Sequence, residues 1–227
     1  MGIKERQERD REAVRRAILD AARDLFVAEG YQNVSIRKVA ERIEYSPAAI
    51  YGYFASKDDI FFALAEEGFR LLGEPSADDA AGAPRLPLER IRALFWRLYE
   101  FSRQHPQYFA LMFVDRSVPR ISREYERFAF AREMKAHIVR ELQGCIDAGA
   151  LPPTVEPASA MRTLTVGLLG VAVMRLSDRL APGEDADRIA ANVLDVTLAG
   201  LKSGIVLQPI TDLACPLDEA AANQKAS

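Results

Sequence analysis

The residue types that most often carry catalysis are scarce in this chain and badly spaced for it. There are two histidines, His105 and His137, and two cysteines, Cys145 and Cys215. Their spacing fits no zinc pattern, and two cysteines build no disulfide framework. No nucleophile elbow and no Gly-rich phosphate loop occurs. The expectation is therefore no enzyme, no cofactor and no metal. Cys145 reads as a small apolar filler, because nothing basic adjoins it in sequence except Arg140. Residues 34–64 offer chemistry of another kind, with hydroxyls, phenols and cations at helical intervals. Ser35 can cap a helix by accepting orphan backbone N–H groups of its first turn. Ile36, Val39, Ala40 and Ile43 give that helix an apolar stripe. Glu44-Tyr45 makes a turn. Ser46-Pro47 opens a second helix, with Ser46 as cap and Pro47 where a missing N–H costs nothing. Ile50 and Phe54 face inward. Ser56-Lys57-Asp58-Asp59 opens the next helix, with acids on the positive end of its dipole.

Two short helices joined by a tight turn, after one long supporting helix, form a helix-turn-helix. The second short helix of that motif can lie in the major groove of DNA. Residues 18–64 resemble the DNA-binding domain of the TetR family of transcriptional regulators. The matching residues are Ile18-Leu19-Asp20-Ala21-Ala22, Leu25-Phe26, Gly30-Tyr31 and Ser35-Ile36-Arg37-Lys38-Val39-Ala40. Ile50-Tyr51-Gly52-Tyr53-Phe54-Ala55-Ser56-Lys57 completes them. The resemblance implies that Ser35 and Arg37 meet DNA from the first short helix, Arg37 reaching a base edge. It puts Ser46, Pro47, Ala48 and Ala49 at the groove-facing start of the recognition helix. It has Tyr51 and Tyr53 bond phosphates through their hydroxyls, and Lys57 hold another phosphate. The chain departs from the family pattern at Glu44, where Gly is common, and at Gly52, where a bulkier residue often touches DNA. Ala48 and Ala49 carry no hydrogen-bonding group. Sequence preference is thus expected to lean on Arg37, on thymine-methyl contacts and on DNA shape.

The rest of the chain must position that motif. It has 227 residues, 49% of them hydrophobic, enough for one large or two small domains with a core. Almost every segment has helical spacing and none alternates like a strand, so the chain is expected to be all-α. A first helix is expected over Glu8–Glu29, stopped by Gly30. A loop covers Ser76–Pro87. Leu88–Gln104 follows as an amphipathic helix, broken at His105-Pro106. Next come a short aromatic segment, Gln107–Val114, and a long charged helix over Ile121–Gly149. Pro157–Leu180 and Asp185–Ser203 are the last helices. The expected domains are a helix-turn-helix domain over 1–57, a ligand-binding and dimerisation domain over 58–204, and a poorly ordered tail over 205–227. The longest apolar run, Leu164–Met174, is about 11 residues, and a membrane span takes about 20. The charged N-terminus resembles no secretory signal. A soluble cytoplasmic protein without a membrane partner is expected.

The formal net charge of −3 excludes a uniformly basic nucleic-acid binder but not a local basic face. Asn33–Lys57 holds Arg37, Lys38, Arg42 and Lys57 against Glu41 and Glu44. The start, Lys4 to Arg16, mixes basic and acidic residues. It reads as a solvated helix face with i,i+4 pairs or as an arm on the phosphate backbone.

One helix-turn-helix reads one half-site, so double-stranded operator DNA and a homodimer are the expected partners. The resemblance implies that the last two helices pair with their mates in a four-helix bundle. Met161, Leu164, Gly167, Leu168, Val171, Val193, Val196 and Leu201 are the expected interface, although Gly167 can equally serve packing inside one subunit. The resemblance also implies a small-molecule effector, expected to be apolar or aromatic, inside the body. Trp96, Tyr99, Tyr108, Phe109, Met112, Phe113, Met134, His137 and Met174 are the expected pocket. Tyr99, His137 and Arg175 are its polar points. The expected function is a repressor released by that effector. A helical interaction module or ligand-binding protein with degenerate DNA binding is the alternative.

Overall fold

The computed structural model describes residues 2–74, 86–119 and 129–207. Most of the expected 76–87 loop, residues 121–128 of the expected charged helix, Cys215 and nearly all of the expected tail lie outside them. Helices account for the regular structure among the described residues.

The first helix, α1, spans Ile3–Glu29 and so begins five residues before its expected start. Gly30 ends it at φ +80°, a backbone region that suits glycine, and donates its N–H to the Phe26 carbonyl at 3.0 Å. A 3-10 turn over Tyr31–Asn33 leads to α2, Ile36–Arg42. Helix α3 is Pro47–Tyr51 and α4 is Lys57–Gly73. Ser35, Ser46 and Ser56 each accept the backbone N–H three residues on, from Lys38, Ala49 and Asp59. These caps set the starts of α2, α3 and α4 as the sequence indicated. Between α2 and α3, Glu44 sits at φ +60°. A side chain there crowds the following carbonyl and costs about 1 kcal/mol. The head closes over Ile18, Ala22, Phe26, Val39, Ile50 and Phe61, all buried.

The body begins with α5, Pro87–Gln104. Glu89 accepts the Leu86 N–H at 3.0 Å and satisfies the helix start. His105-Pro106 bends the chain into α6, Pro106–Phe109, which runs on as a π-helical turn over Ala110–Val114. Helix α7 is described over Ala129–Asp147, α8 over Pro157–Leu176 and α9 over Ala186–Lys202. Pro157 opens α8, and the Glu156 carboxylate accepts the N–H groups of Ala158 and Ser159 at 2.9 and 2.5 Å. Burial pushes the Glu156 carboxyl up. Hydrogen bonds from Ser159 and Ala158 outweigh it and hold the group below the usual carboxylate range.

Helix α8 packs on α5, α7 and α9. By length and composition it is the one helix among the described residues that could cross a membrane. A partly buried polar cluster ties this part of the body together. The Tyr99 hydroxyl donates to Asp187 at 2.7 Å, and Arg103 pairs with the same carboxylate at 3.0 Å. Arg175 donates to the Ser102 carbonyl at 2.6 Å. Burial first, then the Asp187 hydrogen bond, pushes the Tyr99 phenol up to about 12. Cys145 is fully buried, and burial raises its thiol pKa, as befits a packing residue.

Among the described residues, head and body meet through α1, α4 and α6 and through the Gln32 amide, which donates to the Ser117 carbonyl at 2.8 Å. Arg16 on α1 pairs with Glu67 on α4 at 2.6 Å and with Asp20 at 3.0 Å. The Arg23 guanidinium lies 5.5 Å from the Tyr108 ring centroid, joining α1 to α6. Gly68 lets α4 pass against Met112, whose sulfur would collide with any Cβ there.

Candidate functional site

Helices α2 and α3 bury Val39, Ala40 and Ile50 and turn their other faces outward. On that outward surface Ser35, Arg37, Lys38, Arg42, Ser46, Pro47, Ala48 and Tyr51 are exposed, and Ala49 is half-buried. Arg37 is 81% exposed and pairs with Glu41 across one turn at 2.9 Å. The exposed Arg37 pair contributes at most about 1 kcal/mol, so this guanidinium is available to another acceptor. Ser35 and Ser46 each spend a lone pair on capping and keep the hydroxyl proton for donation. Tyr51 is 56% exposed, with its phenol toward solvent.

Two expected phosphate ligands, Lys57 and Tyr53, also make contacts within the chain. The Lys57 ammonium donates to the Tyr31 carbonyl at 2.9 Å and lies 4.0 Å from the Tyr31 ring centroid. Tyr31 donates its hydroxyl to Asp58 next door. The pair therefore clamps the start of α4 to the turn after α1, using one of the three Lys57 N–H donors. Tyr53 is half-buried under the Arg11 guanidinium, 5.5 Å from its ring centroid. Arg11 also reaches the Gly52 carbonyl at 3.4 Å.

Tyr45, 45% exposed beside the α2–α3 turn, and Arg42 are exposed as well, where the sequence offered them only as a turn residue and a local cation. For Arg11 the signal was the mixed basic and acidic start, Lys4 to Arg16. Its contact with Gly52 brings the first half of α1 to the end of the recognition helix.

The body holds a cavity of about 680 Å³. Its walls are Phe69 and Leu72 of α4, Phe95 and Leu98 of α5, Phe113 of the π-turn, Met134 and Ile138 of α7, and Met161 of α8. Of the expected pocket residues, Phe113, Met134 and His137 line it. The other six do not. Tyr99 points to Asp187, and Trp96 lies against Tyr99 with ring centroids 5.3 Å apart. Tyr108 and Met112 pack at the head–body junction, and Phe109 is buried behind Phe113 with centroids 5.1 Å apart. Met174 is exposed on the outside of α8. The reason for the difference is that aromatic character marks a core residue and a pocket residue alike.

The expected dimer residues are also redistributed. Leu164, Leu168, Val171 and Leu201 are buried inside the subunit, and Met161 faces the cavity. A Cβ on Gly167 would stand 2.7 Å from Val193, so this glycine serves the close approach of α8 to α9 within one chain. Val193 is correspondingly half-buried, and Val196 alone of the expected set is exposed, at 72%. Val166, Gly170 and Met174 are exposed on α8 at four-residue steps, and Val196 and Ala199 are exposed on α9.

A capped helix-turn-helix on a long supporting helix, joined to a helical body with a cavity, defines a DNA-binding regulator of the two-domain kind. The comparisons specify which. Residues 18–64 match the pattern described as bacterial regulatory proteins of the tetR family, and residues 91–197 match the tetracyclin repressor-like C-terminal domain. The HTH-type transcriptional repressor Rv1474c of Mycobacterium tuberculosis is 33% identical over 189 residues, covering 81% of this chain and 90% of that one. Among solved structures, Thermus thermophilus PfmR, a TetR family regulator, superposes with a TM-score of 0.62 at 22% identity, over 81% of this chain and 98% of that one. Bacillus subtilis FadR in complex with stearoyl-CoA gives 0.66 at 16% identity, over 83% and 98%. The chain belongs to the TetR family of transcriptional regulators. That family consists of regulators rather than enzymes, and its members bind DNA.

Proposed function

We propose that this protein represses transcription as a homodimer on a palindromic operator and is released by a small, largely apolar effector in the body cavity. The observation that carries the reading is the outward surface of α2 and α3. It presents Arg37, the small residues Pro47 and Ala48 and the Tyr51 phenol over a fully formed core. Small residues at the start of α3 let the helix sit deep in the major groove, where alanine methyls meet thymine methyls. Ser35, Ser46 and Tyr51 supply phosphate bonds that set register. The Arg11 contact holds the end of α3.

The dimer would form through Val166, Gly170, Met174, Val196 and Ala199, giving a four-helix bundle from α8 and α9 of two subunits. Two heads must meet major grooves repeating about every 34–36 Å. Helix α4 is the lever between site and head. Its 17 residues span about 25 Å, from the Tyr31 clamp to Phe69 and Leu72 in the cavity wall. An effector that favours one tilt of α4 changes the spacing of the heads; one that binds both tilts equally changes nothing. A DNA-reading repressor of this kind works in the cytoplasm, where the DNA is.

The test is a gel shift of the full chain against DNA upstream of its own coding sequence, repeated at rising salt. A sequence-specific shift with a steep salt slope is expected. Binding indifferent to sequence would overturn the operator reading.

A further inference from the structure

The cavity walls are not uniformly apolar. Phe95, Leu98, Ala131 and Met161 are buried and form its floor. Glu133, His137, Arg140 and Arg162 are exposed, so the α7–α8 side of the cavity meets water. Four cationic side chains line the space, Arg97, Lys135, Arg140 and Arg162, against the single acid Glu133. In a chain whose net charge is −3, that is a local reversal of sign. Among the described residues Arg140 and Arg162 make no ion pair and no hydrogen bond, so both guanidinium groups are open to an outside acceptor. They come from different helices, α7 and α8, and so can approach one group from two sides. Arginine forks match the oxygens of carboxylates and phosphates, and the low-dielectric floor behind them strengthens the attraction.

We propose that the effector is an amphipathic anion, with an apolar chain or ring system laid along Phe95, Leu98 and Met161 and a carboxylate or phosphate head between Arg140 and Arg162. This rests on the reading of the cavity as the effector site and adds the charge of its ligand. A space of about 680 Å³ suits one such molecule. A neutral molecule of the same length would fill the floor and leave both arginines without an acceptor.

The experiment titrates the full chain with dodecanoate and dodecanol, followed by fluorescence of Trp96, the single tryptophan, which adjoins Phe95 and Arg97 in the wall. Dodecanoate is expected to bind at least tenfold more tightly. The double variant Arg140→Gln, Arg162→Gln is expected to erase that preference while leaving dodecanol affinity unchanged. If the double variant does not fold, rising salt applied to the unaltered protein must erode the same preference. Dodecyl phosphate as a third probe tells a phosphate head from a carboxylate, according to which anion binds more tightly. Equal binding of dodecanoate and dodecanol, binding of neither, or a preference untouched by the variant and by salt would overturn the proposal. A parallel operator-binding assay separates the two readings. If both probes bind equally and both release operator, the effector site stands and the anionic head falls. If dodecanoate alone binds and operator affinity does not change, the ligand class stands and the coupling falls.

Discussion

Arg37 and Glu44 show how single positions shape the DNA-reading surface. The Arg37–Glu41 pair is exposed on both sides and opens at little cost, so the guanidinium can exchange one carboxylate for a guanine edge. Such a contact discriminates by about 1–3 kcal/mol. Arg37→Ala is therefore expected to weaken operator binding by about ten- to a hundredfold and to flatten the preference at one base pair. Fluorescence anisotropy across single-base operator variants checks this, and a uniform loss across all sequences would move Arg37 to the backbone-contact class. Glu44 holds a left-handed backbone that glycine adopts without strain. Glu44→Gly is expected to leave stability unchanged or raise it by up to about 1 kcal/mol, and Glu44→Val to lower it by more. Thermal melts of the two variants decide the sign. Lys57, at the start of α4, is half-buried against the turn after α1. Its partner, the Tyr31 carbonyl, is 26 residues away, and no local pattern announces such a bond.

At the scale of elements, the helix starts rest on short-range devices. Glu156 is one of them: its carboxylate satisfies two N–H groups at the head of α8. Removing it as Glu156→Ala is expected to cost about 1 kcal/mol at neutral pH. The hydrogen bonds depress the folded-state pKa of this carboxyl. Its contribution is thus full above the unfolded carboxyl pKa of about 4.3 and is lost as pH falls through the depressed folded value. The difference between wild type and variant in denaturant melts should narrow below about pH 4. A gap that stays constant into strong acid would show that the carboxylate charge is not what the helix start uses. Helix α6 and its π-turn have a different logic. His105-Pro106 breaks α5; α6 then sets Tyr108 beneath Arg23, and the π-helical residues set Phe113 in the cavity wall. The break is a local instruction; what the broken segment touches is not.

At the scale of the whole molecule, two surfaces compete for the apolar residues of α8 and α9. One is the subunit core and the other the outer face. Leu168→Ala, inside the core, is expected to cost about 2–5 kcal/mol of folding stability whatever the oligomeric state. Val196→Asp, on the outer face, is expected to leave the subunit folded and shift sedimentation from dimer to monomer. It should cost operator affinity as well, because one head then reads one half-site. A Val196→Asp protein that remains dimeric would put the interface elsewhere.

The sequence by itself determined the all-helical class, the helix-turn-helix, the break at His105-Pro106 and the family to which the chain belongs. Caps, prolines, the Gly30 stop and a local motif act over a few residues, so they are legible without knowing what packs on what. Only the tertiary structure decided which apolar residues line the cavity, which fill the core and which face outward. Helix α8 is apolar nearly all round, and periodicity cannot assign sides to a helix that has no polar one. Its sides were fixed by contact with α5, α7 and α9, which left Val166, Gly170 and Met174 outside and turned Met161 inward. The cationic wall arose the same way. Arg97, Lys135, Arg140 and Arg162 stand on three helices, and only packing brings them around one space.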